Sequence, residues 1–401
     1  KGFYMQKIGI IGGGPSGLTA AIFSKTKFNE VTILEKNKNC GKKLLLTGSG
    51  KCNYWNDDMS ITHFHSSNTK ILKNIITEEL KTMALEFTRN IGIIPTVKNG
   101  YYYPITKESF TMQMALLREC QNKGIVIKNE CNVIDIKKVN DSFIVKTPTE
   151  TLKFDKIIIA TGGLSYPKTG SDGAGYTLVK ETTIVPPKPS LVQLTIEADF
   201  LKKWAGIRTM ATVTLLKNNQ VIKTETGEIQ LTDYGASGIC IFNISREAED
   251  GDILEINFCP FLETSLEEFL TLENKRLENR KLRELLENIL HFKLVDIVLN
   301  KSGINGNLNY AALPKKERQK LTELCTSLKL KITGNKGFLT AQVTNGGISL
   351  SELDPETLMS KKIKNLFYAG EVIDIDGDCG GYNLMTAFMT GIKAGRGARN
   401  D

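Results

Sequence analysis

Two glycine-rich clusters, one near each end of the chain, carry residue types whose spacing could do chemistry. Near the start, GGGPSG places Gly12, Gly14 and Gly17 in the order GxGxxG, directly after the apolar run KIGII at 7–11. The segment that follows, from Ser16 to Lys25, reads as a helix. In that setting Gly12 makes a tight turn and Gly14 lets the backbone approach a pyrophosphate. Gly17 lets the helix pack closely on the strand, and the helix start around Pro15 and Ser16 offers free N–H groups and a positive dipole end. A second strand, VTILE at 31–35, ends in Glu35, which lies 23 residues after Gly12. That matches the offset of about 20 residues expected for a carboxylate that accepts from a ribose hydroxyl.

The second cluster runs from 365 to 395, NLFYAGEVIDIDGDCGGYNLMTAFMTGIKAG. A strand delivers Gly370-Glu371 and then Asp374, and Gly380-Gly381-Tyr382-Asn383 opens a helix to about 395. Such a helix start can donate N–H groups to a carbonyl or anionic ring edge, and Asp374 is placed to bond a ribityl or pyrophosphate-side hydroxyl. Between the clusters, IIIATGG at 157–163 runs a buried strand into Thr161-Gly162-Gly163, where glycine permits close approach of a ligand or another backbone. Together these three motifs predict a single dinucleotide gripped by both ends of the chain, as FAD would be. A nicotinamide-only fold would not need the C-terminal motif, and no second GxGxxG is present.

Segment 36–53, KNKNCGKKLLLTGSGKCN, holds five lysines and no acidic residue. Lys42, Lys43 and Lys51 are expected to contact the pyrophosphate or a substrate phosphate, with Lys36, Gly48, Cys52 and Asn53 beside the cofactor. Hydride transfer through a flavin is paired with a proton from or to a nearby acid–base group. Cys52 is the first candidate for that acid, Cys379 the second and Tyr382 the third. His63 and His65 form an H-x-H pair without a Cys or carboxylate cluster nearby in sequence, so no metal is expected.

The elements that must position these residues read as α/β, a two-dinucleotide-binding-type, Rossmann-like FAD domain with an inserted antiparallel β-subdomain and a helical subdomain. Helices are expected at 68–90 and 107–123, and strands at 125–136, 142–147 and 151–160. Three prolines in VPPKPS, 185–190, punctuate the chain. Short strands with turn residues between them fill 191–260, and leucines at helical spacing fill 265–300 and 314–329. The boundaries drawn are 1–188 with 338–401 for the discontinuous FAD-binding domain, 189–262 for the β-subdomain and 263–337 for the helical one.

Composition fits that reading. Apolar residues make up 41% and charged residues 24%, which excludes a disordered chain. Lys+Arg exceed Asp+Glu by 52 − 44 = 8, a mild preference for anionic partners. The eight cysteines include no CxxC, so buried thiols are expected rather than disulfides or zinc. No apolar run approaches the ~20 residues of a membrane span, and the N-terminal residues lack an apolar leader core, so a cytoplasmic location and no membrane partner are expected.

The chain resembles the BaiN/RdsA family of FAD-dependent oxidoreductases, which includes aminoacetone-oxidase-like flavoproteins. The resemblance rests on GGGPSGLTAA, on EKN with GKKLLLTGSGKCN, on ATGGLSYPKTGSDGAGY, on LTDYGASG, and on VTNGGISLSELDPETLMSK with GEVIDIDGDCGGYN. These stretches run from residue 12 to 395. Lys51 and Tyr54-Trp55 stand where the family usually has Arg and Thr-Asn. Lysine keeps the charge but loses the planar fork. The resemblance implies non-covalent FAD, NAD(P)H as transient electron donor, an insert that roofs the flavin, and Val133 among the cofactor contacts. It also implies two substrate classes. One is uridine in large-subunit ribosomal RNA, reduced to dihydrouridine. The other is a small molecule, either an aminoketone oxidised by O2 or an enone that is reduced.

Overall fold

The computed structural model describes residues 5–278 and 280–399. The chain divides into two compact units, Lys1–Pro189 with Ala341–Asp401, and Ser190–Thr340.

The first unit is built on a five-stranded sheet in the order Leu366–Tyr368, Lys156–Ile159, Gln6–Ile11, Asn29–Leu34, Val126–Lys128. All of its pairings are parallel. The strand sequences are nearly continuous apolar runs, as a parallel sheet covered on both faces requires. Ile8, Ile10, Ile33, Ile157, Ile158 and Ile159 are fully buried. Strand Leu366–Tyr368, from the end of the chain, pairs with Lys156–Ile159, so the last residues complete the sheet that the first residues begin.

Helix Pro15–Ser24 packs against the C-terminal helix Tyr382–Ala398. Glycine makes the contact possible. A Cβ on Gly391 would stand 2.7 Å from the Ser16 carbonyl oxygen, and one on Gly395 would stand 2.5 Å from that of Ala20. Two short antiparallel pieces support the site described below. One pairs Trp55–Asn56, Tyr101–Pro104 and Pro95–Lys98; the other pairs Phe64–His65 with Asp376–Gly377.

The second unit holds a closed six-stranded barrel in the order Leu194–Glu197, Gly235–Ser237, Gln220–Leu231, Arg208–Lys217, Ile253–Asn257, Leu328–Asn335. Ala211, Val213 and Leu215 face inward and are fully buried, while Thr212 and Thr214 face out and meet Thr226 and Thr224. Asn218 and Asn219, both at positive φ, turn the long hairpin. Helices Leu266–Arg276, Leu282–Glu287, Phe292–Ser302 and Lys315–Thr326 pack into the same core.

Several expected elements differ. The predicted helix 68–90 is two helices, Thr69–Ile75 and Glu78–Asn90, each capped at its start by a side-chain oxygen, Asn68 and Thr77. The predicted strand 125–136 shortens to Val126–Lys128. VPPKPS lies within a strand, Ile184–Ser190, whose one partner is Val343–Ile348. A two-stranded ribbon leaves an edge where the missing proline N–H is tolerated. Leu328–Asn335, expected within the helical subdomain 263–337, is the strand that closes the barrel.

Candidate functional site

The first unit contains a cleft of about 1250 Å³, part of it open to solvent. Its walls come from both ends of the chain. They include Gly12, Gly14, Pro15 and Ser16 at one helix start, and Asn383, Leu384, Thr386 and Ala387 at the other.

The first helix start is shaped for phosphate. Gly12 sits at φ +104, and a Cβ there would collide with the Ala160 carbonyl. A Cβ on Gly17 would fall on the Gly12 carbonyl oxygen, so the helix can lie this close only without a side chain. Gly14 is different: an added Cβ would meet nothing within 4 Å. The space in front of Gly14 is therefore cleft. No side chain caps this helix, which leaves its first N–H groups for a ligand.

Glu35 lines the cleft and is buried. Its Oε2 accepts from the Gly13 N–H at 2.7 Å, and its Oε1 accepts from the Asn37 N–H at 2.8 Å and Nδ2 at 2.7 Å. The carboxylate is thus fixed by three donors, with lone pairs left for a hydroxyl. Lys36 pairs with Asp172 at 2.7 Å, Lys42 Nζ donates to the Lys168 carbonyl at 2.8 Å, and Asn37 Nδ2 donates to the Thr169 carbonyl at 3.1 Å. These contacts fasten loop 165–176 beside the cleft. Lys36 and Lys42 are therefore already engaged by protein groups. Lys51 is exposed, away from the cleft lining.

Further along, Thr161, Gly162 and Val133 line the wall. The Thr161 hydroxyl is buried without a partner. Lys43 bonds Glu371 at 2.7 Å, and Glu371 also accepts from Ser165 Oγ at 2.8 Å and the Thr344 N–H at 3.0 Å. Both Lys43 and Glu371 line the cleft. Asn53 Oδ1 is a second buried oxygen without a partner, and it lies against Gly381, where a Cβ would stand 3.0 Å away. Uncapped N–H groups, the orphaned Thr161 hydroxyl and glycine-cleared space are what a phosphate-linked, hydroxyl-bearing ligand would satisfy. The residues present fit FAD.

Not every expected residue reaches the cleft. Asp374 does not: it is 1% exposed, and its Oδ2 accepts from Ser66 Oγ, the Ser67 N–H and Ser67 Oγ. The carboxylate at the cleft is Glu371, three residues earlier. Gly17, Gly163 and Gly370 clear space for backbone and side chains instead of lining the wall. A Cβ at Gly163 would strike Thr344, and one at Gly370 would strike Ser16. Gly48, Gly380 and Gly381 sit behind the lining, each at positive φ.

The three expected acids are poorly placed. Cys52 is fully buried at φ +58, off the cleft, and burial pushes its thiol up to about 12. Burial also pushes Cys379 up to about 11, with Asp378 adding to the effect. Burial raises Tyr382 as well, and its hydroxyl donates to the Asp58 carbonyl at 2.7 Å. A thiol of pKa 12 is ionised in roughly one molecule in ten thousand at pH 8. Iodoacetamide at pH 8 is therefore expected to leave Cys52 unmodified in the folded protein, and C52A should still pass electrons to its flavin. Peptide mass mapping and stopped-flow reduction check the two halves of that prediction.

Sequence reasoning missed Asn37, Cys131, Asn132 and the wall from Thr169 to Asp172. The signal for that wall was present in the glycines of PKTGSDGAGY, of which Gly170 and Gly173 adopt positive φ. All eight cysteines are free thiols. Among the described residues, no cluster of His, Cys, Asp and Glu could hold a metal ion, and no helix is long and apolar enough to cross a membrane.

A parallel sheet with a glycine-cleared dinucleotide cleft defines a Rossmann-type flavoprotein. The chain belongs to the HI0933-like protein Rossmann domain family, which it matches over residues 6–397, and it is an FAD-dependent oxidoreductase. It is 34% identical over 405 residues to the 3-dehydro-bile acid delta(4,6)-reductase of Clostridium scindens, covering 98% of this chain and 99% of that protein. It is 26% identical over 387 residues to the ribosomal RNA dihydrouridine synthase of Escherichia coli, covering 95% of each. Among solved structures, the 3-ketosteroid-delta4-(5alpha)-dehydrogenase of Rhodococcus jostii superposes with a TM-score of 0.51 at 13% identity, covering 99% of this chain and 97% of that one. An open flavocytochrome c3 fumarate reductase gives 0.51 at 13%, covering 98% and 78%. At those identities the structural likeness speaks for the fold.

Proposed function

We propose that this enzyme uses NAD(P)H to reduce a carbon–carbon double bond conjugated to a carbonyl, with uridine of large-subunit ribosomal RNA as the leading candidate substrate. The observation that carries the reading is the cleft shared by the two helix starts, with the orphaned Thr161 hydroxyl in its wall. Non-covalent FAD fits it, and when bound it supplies hydride transfer from nicotinamide to the acceptor. The chain's own residues bind and orient. The first turn of helix Pro15–Ser24 takes the pyrophosphate, Glu35 takes the adenosine ribose, and the Lys43–Glu371 pair faces the middle of the ligand. Asn383 and Leu384, in the first turn of helix Tyr382–Ala398, face the ring end.

Uracil and a 3-keto-4-ene share the feature that matters for this chemistry: a C=C whose electrons a carbonyl can accept. The names of the relatives divide between these two acceptors. The net excess of 8 basic side chains favours a polyanionic substrate. The relative at 34% identity favours the second reading, a small-molecule enone.

Anaerobic mixing of the yellow protein with NADH or NADPH, followed by candidate acceptors, tests the class. Bleaching of the flavin by nicotinamide and its re-oxidation by an enone or by ribosomal RNA is the expected result. Dihydrouridine content of 23S-type RNA from a deletion strain then separates the two substrates. Unchanged RNA together with turnover of a steroid enone would move the assignment to the second reading.

A further inference from the structure

His63 does not line the cleft, yet both of its ring nitrogens face carboxylates. Nδ1 lies 2.9 Å from Asp378 Oδ2, and Nε2 lies 3.0 Å from Asp58 Oδ2. A carboxylate only accepts, and a neutral imidazole has only one N–H, so both contacts are satisfied only by the imidazolium. The ring also stacks on Tyr382, with centroids 4.7 Å apart and planes inclined by 16°. His65 Nε2 lies 2.8 Å from the other oxygen of Asp378, Oδ1. Asp378 is therefore clipped by two imidazoles from one short segment, and its N–H donates to the His63 carbonyl at 3.0 Å.

This clip bears on the turn that leads into the C-terminal helix. Asn383, which lines the cleft, is braced against the clipped segment. Its Oδ1 accepts from the Gly377 N–H at 2.8 Å, and its Nδ2 donates to the carbonyls of Gly377 at 2.8 Å and Asp378 at 3.3 Å. A continuous path of bonds thus runs from His63 through Asp378 to Asn383 and the cleft wall.

We propose that His63, as an imidazolium bridging Asp58 and Asp378, is a positioning residue that holds Asn383 and the first turn of helix Tyr382–Ala398 in place for FAD, and so makes FAD affinity depend on its protonation. The proposal rests on the flavin reading of the cleft. The other groups around the clip are His65 on Asp378, Lys81 near Asp58, Cys379 beside Asp378, and Tyr101 and Phe64 against Tyr382. Burial alone would lower the pKa of His63; its hydrogen bonds to Asp378 and then Asp58 outweigh that, and the net shift is upward. The sign follows. The clip is intact below the ordinary histidine range and is lost as pH rises through the elevated value.

The chain contains three histidines, so their imidazole Cε1–H resonances can be assigned with H63Q, H65Q and H291Q. His291, in the second unit, is the internal control. The full-length apoprotein and the FAD-loaded protein are each titrated by NMR from pH 6 to 9. Because linkage is reciprocal, the His63 midpoint is expected to rise on loading by about one pH unit, with His291 unmoved. Over the same range the dissociation constant of FAD, read by flavin fluorescence, should weaken about tenfold in the wild type. In H63Q it should be weak and flat with pH. An unchanged His63 midpoint in protein that binds FAD overturns the proposal, as does H63Q retaining the wild-type pH profile. Should H63Q not fold, the wild-type NMR comparison decides alone. Protein that takes up no FAD at any pH overturns the flavin reading itself, and the proposal with it.

Discussion

Replacing Gly14 by alanine is expected to abolish tight flavin binding while leaving the apoprotein as stable as the parent or slightly more so. Gly14 sits at φ −76, ψ 179, which alanine adopts freely, and an added Cβ meets no protein atom within 4 Å. A Gly→Ala change at such a position usually stabilises by ~0.4–1 kcal/mol through the unfolded state. The methyl group would occupy the space where a pyrophosphate must touch the backbone. A loss of at least ~100-fold in FAD affinity, about 2.7 kcal/mol, is expected. Gly17→Ala provides the contrast. Its Cβ would fall on the Gly12 carbonyl oxygen, so helix and strand must separate, and fold and flavin should be lost together. Thermal melts of the two apoproteins beside their fluorescence titrations with FAD make the distinction. A G14A protein that binds FAD normally would remove the pyrophosphate from this turn.

Asp374→Ala is expected to cost stability without directly touching the cofactor. The change leaves Ser66 Oγ, Ser67 N–H and Ser67 Oγ facing a buried site without their acceptor. With each abandoned donor worth ~1–3 kcal/mol and some relief from rotating hydroxyls, about 3 kcal/mol is expected. For a unit of this size that lowers the melting temperature by ~6–12 °C. Asp374→Asn should recover most of the loss, because one amide oxygen can still accept. Flavin content per folded molecule should stay near the parent value in both variants. A D374N protein that is stable but colourless would return Asp374 to the cofactor and contradict its burial behind the wall.

That second prediction marks where the sequence was readable and where it was not. GGGPSG after an apolar strand, Glu35 at the next strand end and GGYN before the last helix were legible because each is a local pattern with one physical use. The turn needs positive φ at Gly12, and the helix needs no side chain at Gly17. Roles that depend on which way a side chain points were not legible. Glu371 and Asp374 lie three residues apart in one motif, yet only Glu371 faces the cleft, because Ser66 and Ser67 from a distant segment claim Asp374. Cys52 looked reactive beside glycines and lysines, but the left-handed turn at 48–52 tucks it into the core. The lysines of 36–53 looked free to bind anions, yet Asp172, Glu371 and a carbonyl had already engaged three of them. The barrel's closing strand, Leu328–Asn335, was hidden because its partners are more than 70 residues upstream.

The way the first unit joins its two ends has a consequence for biosynthesis. Gly14 is made early, and Asn383 only after more than 350 further residues. While the nascent chain is still growing, half of the wall is missing and the edge of strand Lys156–Ile159 lacks its partner Leu366–Tyr368. Vitamin-derived cofactor can therefore be captured only once the residues through helix Tyr382–Ala398 have been made, and chains cut short before that helix should accumulate colourless, with an exposed sheet edge that invites aggregation or degradation.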